Sequence, residues 1–385
     1  MPNTYQLGRL GRVYVAQESA YGTGGTFTGA KAVRHLDVRL NMNPRNRVDS
    51  PERHSGHPDQ LFRFTRRTTA SALLKGLLYP SNTLNTVPEA DLIFKNAFGA
   101  STNKTLSTTV SSGGTTTGAI VASAGTLAIG DAVLINATGG PFVRILTNVV
   151  TNTLTWAPAL PTAAANGNTV KGCVTYQLAT AVLGSLNIGH YLTSVGYEAL
   201  GFGLDTFKLL FDANEEGQFE ASGPMQRRNR LTTTPAAQAD PVTFTTVGAG
   251  SGVPSGLTGY LRVNGANYEF LKASFEMDNG LDLDNVAFGT SQAQALYRKS
   301  KRHITCQIDA MYSSDLTLLN DSELTSDDTI FLQQGTTEGS IFALYAPKVE
   351  FDVADDPNEE ETMQHSFHGV CKGTSGNDAL YLVAA

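Results

Sequence analysis

Two neighbouring segments in the C-terminal half, 271–283 (LKASFEMDNGLDL) and 301–313 (KRHITCQIDAMYS), alternate apolar and polar residues with a period of two. That period belongs to a strand with one face on a core and the other turned elsewhere. Neither segment spaces its polar residues for catalysis. Segment 11–23 (GRVYVAQESAYGT) reads as a further strand running into a turn. Composition points the same way. Charged residues make up 16% of the chain and 38 glycines are spread among Thr and Ser, which suits many short strands and turns rather than helical bundles. The expected fold class is mainly β.

At 385 residues the chain exceeds a typical domain of about 50–250 residues, so two or three cored units are expected. A net charge of −7 argues against a globally basic surface gripping nucleic acid. Cys173, Cys306 and Cys371 form no CxxC pair and are odd in number; they read as buried thiols, not as a disulfide framework or zinc site. The opening MPNTYQLGRLGRVYV lacks the apolar run of a secretory signal, and no stretch approaches the roughly 20 apolar residues that span a bilayer. Synthesis and assembly in a cytoplasm are therefore expected, with no membrane partner.

Segments 12–17 and 32–40 read as a hairpin joined through the glycine-rich YGTGGTFTG. Segment 41–67 then sets Arg45, Arg47, Arg53, Arg63, Arg66 and Arg67 against only Asp49, Glu52 and Asp59, in a long loop or extended hairpin. Loops beyond about 12–15 residues are uncommon in compact domains unless they are functional. This one is expected to be a contact arm. Its aromatic residues are only Phe62 and Phe64, so docking on acidic protein neighbours is favoured over phosphate binding. Apolar residues at helical spacing in 70–79 and 89–98, stopped by Pro80 and Gly99, predict two short helices. Across 101–172 the charged residues shrink to Lys104, Asp131, Arg144 and Lys171, and strand candidates alternate with turn residues such as Gly139, Gly140, Asn166 and Gly167. That rhythm predicts a small β-barrel or sandwich anchored by Trp156, with 101–117 also open to a linker reading. The composition shift sets it apart from a remainder in two parts, 1–100 and 173–385. In its second part, strands are expected at 174–183, 185–192, 195–201, 206–212, 218–222, 260–263, 268–278, 303–312, 341–345, 348–353, 362–372 and 381–383. A polar loop at 231–256 and a short helix near 314–319 complete the expectation.

Chemistry-bearing constellations are weak. His365 and His368 with Cys371 offer zinc-type ligands, but strand residues three apart face opposite sides. His54 and His57 with Asp59 lie in the arm, where solvated residues are the simpler reading. Asp278, Asp282 and Asp284 lack the ligand order of a calcium loop; Asp278-Asn279-Gly280 reads instead as a hairpin turn. Gly201 and Gly203 follow a strand but precede strand-like sequence, so no phosphate cradle is expected. No catalytic, cofactor-binding or metal residue is assigned, and an enzyme is not expected.

Outside 101–172 the order of features is an early strand ending VAQESAYGT, a polar loop, a helix ending AFGA, then FKLLFDANEEGQFEASG, LKASFEMDNGLDLDNV, SKRHITCQIDAMYSSD and LYAPKVEFD. This order resembles the major tail tube protein of long-tailed, siphovirus-type bacteriophages. The resemblance implies a β-sandwich with a flanking short helix that assembles six to a ring. Each subunit of such a ring gives four strands to a continuous barrel. Stacked rings would form a hollow virion tail tube that conducts DNA without specific binding, with tape measure protein in the lumen and tail terminator and distal tail proteins at the ends. Glu269, Glu276, Asp278, Glu350 and Asp352 lie on polar faces of expected strands and are candidates for an acidic lumen; the pattern leaves open whether that face is the outer surface. Segment 101–172 departs from the minimal tube subunit; the resemblance implies that it is an inserted small β domain, expected on the tube exterior. The alternative is another virion β-protein, a tail terminator or head-decoration protein.

Overall fold

The computed structural model describes residues 11–43, 47–49, 63–65, 69–181, 184–192, 195–231, 253–283, 292–311, 317–324, 326–352 and 364–385. The fold is mainly β, as the alternation requires. Its main core gathers around helix Asp91–Phe98. Asp91 opens the helix, and Gly99 closes it in the left-handed conformation (φ 101°), which only glycine adopts freely. Phe94 then meets Tyr176, Phe207, Phe219 and Phe342 edge to face, at ring distances of 5.5, 5.9, 5.6 and 6.3 Å. These four rings come from Val174–Leu178, Thr206–Asp212, Gln218–Pro224 and Phe342–Phe351, so the helix packs across distant parts of one sheet.

The largest sheet has 14 strands. Its path runs Ala266–Tyr268, Gly259–Val263, Asp327–Gln334, Phe342–Phe351, Gln364–Cys371, His303–Met311, Lys272–Asp278, Thr206–Asp212, Gln218–Pro224, Thr69–Leu77 and Asp37–Asn43, all neighbours antiparallel. The corner is strand Phe342–Phe351. Phe342, Leu344 and Ala346 face the core in its first half and Val349 and Phe351 in its second, so the parity changes across Pro347 and Lys348, near the register shift between Asp328 and Ile330. A bulge of this kind bends a strand and re-aims its side chains. Here it lets the first half pair with Tyr381–Ala384 and the second with Gln364–Cys371. Beyond Tyr381–Ala384, the branch continues through Val174–Leu178 to Gly99–Asn103. A separate five-stranded sheet, ordered Arg227–Leu231, Gly196–Phe202, Leu186–Tyr191, Arg12–Gln17 and Ala32–Val33, adds Val13, Val15, Leu186 and Ile188 to the same core.

Residues 107–172 close into a six-stranded barrel, ordered Ala132–Ala137, Gly140–Val150, Thr153–Ala157, Gly118–Val121, Ser107–Ser112 and Thr169–Gly172. Trp156 is buried inside it. The entering and leaving chains run side by side, with Asn103 opposite Val174 in the ladder.

Several expectations are corrected. Segment 70–79 is not helical: Thr69–Leu77 is a strand, and burial alternates strictly from Ser71 through Leu77. Leu73 and Leu77 on its outward face had mimicked helical spacing. Segments 12–17 and 32–40 do not form one hairpin, because Arg12–Gln17 pairs mainly with Leu186–Tyr191 while Asp37–Asn43 joins the large sheet. The linker reading of 101–117 fails, since Gly99–Asn103 and Ser107–Ser112 are strands. Gly280 has the positive φ of a turn (63°), yet the chain passes into a separate ribbon, Leu281–Leu283 with Leu296–Arg298, instead of folding back on Lys272–Asp278. Segments 341–345 and 348–353 are one continuous strand, and the second helix is Thr317–Leu324. Strands Arg227–Leu231 and Asp327–Gln334 were not anticipated. Most of the expected loop 231–256 lies outside the described residues.

Candidate assembly surfaces

Eight adjacent strands of the large sheet, from the second half of Phe342–Phe351 to Asp37–Asn43, turn their apolar residues inward, and among the described residues nothing covers their other face. The described residues on that face are all exposed or half-buried, from Arg39 and Lys75 through Glu220, Lys208 and Glu276 to His368 and Glu350. The register arranges its charges by sign. One row runs Asp37, Lys75, Glu220, Lys208, Glu276 across five strands. Lys75 Nζ lies 2.5 Å from Glu220 and Lys208 Nζ 3.6 Å from Glu276. A second row sets Asp212, Lys272 and Asp309 side by side. Opposite charges directly across a ladder stabilise pairing and register, each pair by about 0.2–1 kcal/mol.

This geometry places the acidic candidates. Glu276 and Asp278 share the open face, and Glu350 lies on the same face two strands beyond His303–Met311. Glu276 is paired with Lys208, and Glu350 with Lys372, so the face is mixed in charge and not uniformly acidic. Asp352 follows the end of its strand, exposed, with its N–H donated to the His368 carbonyl at 2.7 Å. Glu269 is exposed in the link between Ala266–Tyr268 and Lys272–Asp278, because the expected strand 268–278 is interrupted there.

The arm leaves the edge hairpin of the sheet and carries a separate two-stranded ribbon. Asp37–Asn43 and Thr69–Leu77 pair as a hairpin, and farther out Arg47–Asp49 pairs with Arg63–Thr65, which puts Arg47 and Arg63 on one ribbon. Arg45, Arg53, Arg66 and Arg67, like His54, His57 and Asp59, lie outside the described residues. The root of this hairpin is firmly held. Glu89 accepts hydrogen bonds from the Arg34 backbone N–H and from Nε (2.8 Å), while the Arg34 guanidinium lies 3.5 Å from the Tyr79 ring centroid. Burial pushes the Glu89 carboxyl up, against the pull of Arg34. Beside it His35 and His190 stand edge to face, with ring centroids 5.9 Å apart. Burial holds both below the ordinary histidine range; the Val33 hydrogen bond and Asp37 pull His35 back up, and the charge of His35 lowers His190 further. Along its outer side, Asp37–Asn43 pairs with no further strand among the described residues. Its Leu40 carbonyl instead accepts a hydrogen bond from Arg228 (2.8 Å).

The barrel covers the opposite layer. Ala132, Leu134, Val143 and Ile145 pack on Phe331, Ala343, Tyr345 and Val383. Gln333 is buried in this joint: its Oε1 accepts from the Val143 N–H (3.0 Å) and Tyr260 hydroxyl (2.9 Å), and its Nε2 donates to the Pro141 carbonyl (3.0 Å). Arg144 and Arg262 both donate to the Ala159 carbonyl, and Lys171 pairs with Glu338 at 2.7 Å. These contacts fix the barrel to the sheet beneath it.

Among the described residues no group of three or more His, Cys, Asp or Glu is arranged to hold a metal ion. His365 is buried and His368 exposed, on opposite faces of Gln364–Cys371. Nor is any described helix long and apolar enough to cross a membrane. In comparisons with known proteins, no family model and no curated sequence matches the chain.

Proposed function

We propose that the chain is a structural subunit that assembles with copies of itself into rings, and that the rings stack into a hollow tube of the phage tail type. One observation carries this reading: among the described residues an eight-stranded face is left uncovered and ends in an open edge strand, and the segment after that strand carries a separate arginine-bearing ribbon. An exposed sheet edge invites pairing, and a head-to-tail interface that closes into a ring satisfies it in every subunit. A barrel built from many subunits is wide enough to leave an aqueous bore.

In this arrangement the open face lines the bore and the inserted barrel, docked on the opposite layer, stands on the exterior. The bore surface then consists of paired charges such as Lys75 with Glu220 and Lys208 with Glu276. Paired charges offer a passing phosphate chain neither a strong grip nor strong repulsion, and screening over about 8–10 Å reduces what remains. DNA would slide through such a bore, preceded by the tape measure protein, in a virion tail closed by terminator and distal tail proteins. No step of this function requires catalysis.

Negative-stain electron microscopy of the purified chain tests the reading. Long tubes of uniform diameter are expected. Discrete rings that never stack would favour a tail terminator, and compact trimers a head-decoration protein.

A further inference from the structure

Two carboxyl groups meet away from the uncovered face and the arm. Asp321 lies on helix Thr317–Leu324, and Asp328 lies at the start of strand Asp327–Gln334, where regular alternation sets its side chain on the inward face with Ile330, at 1% exposure. Asn264, at φ 50° in the turn before Gly265, stands between them. Asn264 is clamped to the strand from both sides: its N–H donates to the Thr329 carbonyl and its Oδ1 accepts from the Thr329 N–H, each at 2.9 Å. Its Nδ2 is thereby aimed at the acids, 2.6 Å from Asp328 Oδ1 and 3.5 Å from Asp321 Oδ2. Asp328 Oδ2 is buried without a hydrogen-bond partner among the described residues.

An ionised carboxylate with a buried, unsatisfied oxygen beside a second acid is unfavourable; one proton held between them turns the repulsion into a hydrogen bond. Among the described residues the surrounding charges do not offer another solution. Lys348 and Lys372 bind Asp327, and Lys372 also binds Glu350. Glu323 is exposed on the helix, and the buried Cys306 thiol on His303–Met311 is itself pushed up, by its hydrogen bond to Cys371 and by burial. We propose that Asp321 and Asp328 share a single proton and form a pH-sensitive latch that holds helix Thr317–Leu324 against the sheet.

The latch does not depend on the tube reading. Burial, followed by the hydrogen bond and charge of Asp321, raises Asp328 to about 7 in spite of the opposing Asn264 bond. An unfolded aspartate titrates near about 3.9. The folded state therefore holds this proton more tightly, and the stabilisation is fully present below that unfolded value and is lost as pH rises through about 7. Above it the buried Asp328 carries its charge beside Asp321, which works against the contact between helix and sheet.

Amide hydrogen exchange across 317–324, corrected for intrinsic rates, tests the latch. Protection is expected to fall about tenfold between about pH 6 and about pH 8, while strand Lys272–Asp278 is unaffected. Asp328→Asn, which retains a donor toward Asp321, is expected to be flat over the same range. Constant protection in the wild type, or an equal fall in the variant, overturns the proposal. Should the variant fail to fold, carboxyl carbon NMR of the wild-type chain decides: a midpoint near about 7 for Asp328 is expected, and one below about 5 contradicts it.

Discussion

Glu18 illustrates how much one side chain organises. Its carboxylate accepts the N–H groups of Gly22 (2.8 Å), Gly24 (3.2 Å) and Gly201 (3.0 Å) and the Ser185 hydroxyl, so a single buried acid fixes the loop after the first strand and joins it to Gly196–Phe202. Glu18→Gln puts an amide NH2 where several donors converge. It is expected to cost about 1–3 kcal/mol, read as a lower denaturation midpoint, whereas a change below about 0.5 kcal/mol would contradict this role. The histidine pair at the root of the arm makes a pH prediction. Both rings titrate below the ordinary histidine value when folded, so their contribution to stability is present above about pH 6.5 and is lost as pH falls through the lowered values. Replacing His35 and His190 by Asn is expected to flatten the loss of stability between about pH 6.5 and about pH 5.5; an unchanged slope would show that other groups are responsible. VAQESAYGT was visible in the sequence as a strand and turn, but not the reason for its acid, since the partners at Ser185 and Gly201 are distant in the chain. The Asn264-Gly265 turn was legible in principle, because Asn-Gly is a strong hairpin signal, and it went unread.

At the level of elements, the joint between barrel and core is the most exacting contact. Gln333→Leu would strand the Val143 N–H, the Tyr260 hydroxyl and the Pro141 carbonyl, and is expected to cost about 3 kcal/mol or more. Limited proteolysis at the crossover strands 99–107 and 172–178 should then quicken; equal cleavage rates would show the joint to be loose already. Deleting the barrel outright is a poorer test of its role, because it would uncover Phe331, Ala343, Tyr345 and Val383 together. In the arm, charge reversal at Arg63, Arg66 and Arg67 is expected to leave the circular dichroism spectrum unchanged while abolishing or shortening tubes. Tubes of normal length would remove the docking role. The sequence made one-sided strands such as Lys272–Asp278 and His303–Met311 legible, because each has one wet face. Asp327–Gln334 escaped notice for the opposite reason: the barrel covers its second face, so Phe331 and Gln333 are as buried as Ile330 and Leu332 and no alternation survives. Arg227–Leu231 has almost no apolar residue to reveal it, being held by its neighbour Gly196–Phe202 and by Arg228.

For the molecule as a whole, the central claim is that this is a sheet left unfinished on purpose. A helix at the core, a corner strand that serves two layers, and a barrel that seals one side leave the remaining face and its terminal strand without cover among the described residues. The mainly β class and a small barrel within 101–172 follow from composition and periodicity alone. Which layer the barrel covers does not, because the local pattern of a strand cannot say what packs on its second face. Sign-alternating rows across Asp37, Lys75, Glu220, Lys208 and Glu276 were equally hidden, since they depend on the register between strands distant in sequence. The most direct measurement is electron microscopy of the purified full chain with image averaging along the fibre axis. The account predicts hollow tubes with the uncovered face toward the axis and the barrel protruding outside; dispersed monomers with no passage through any assembly would contradict it.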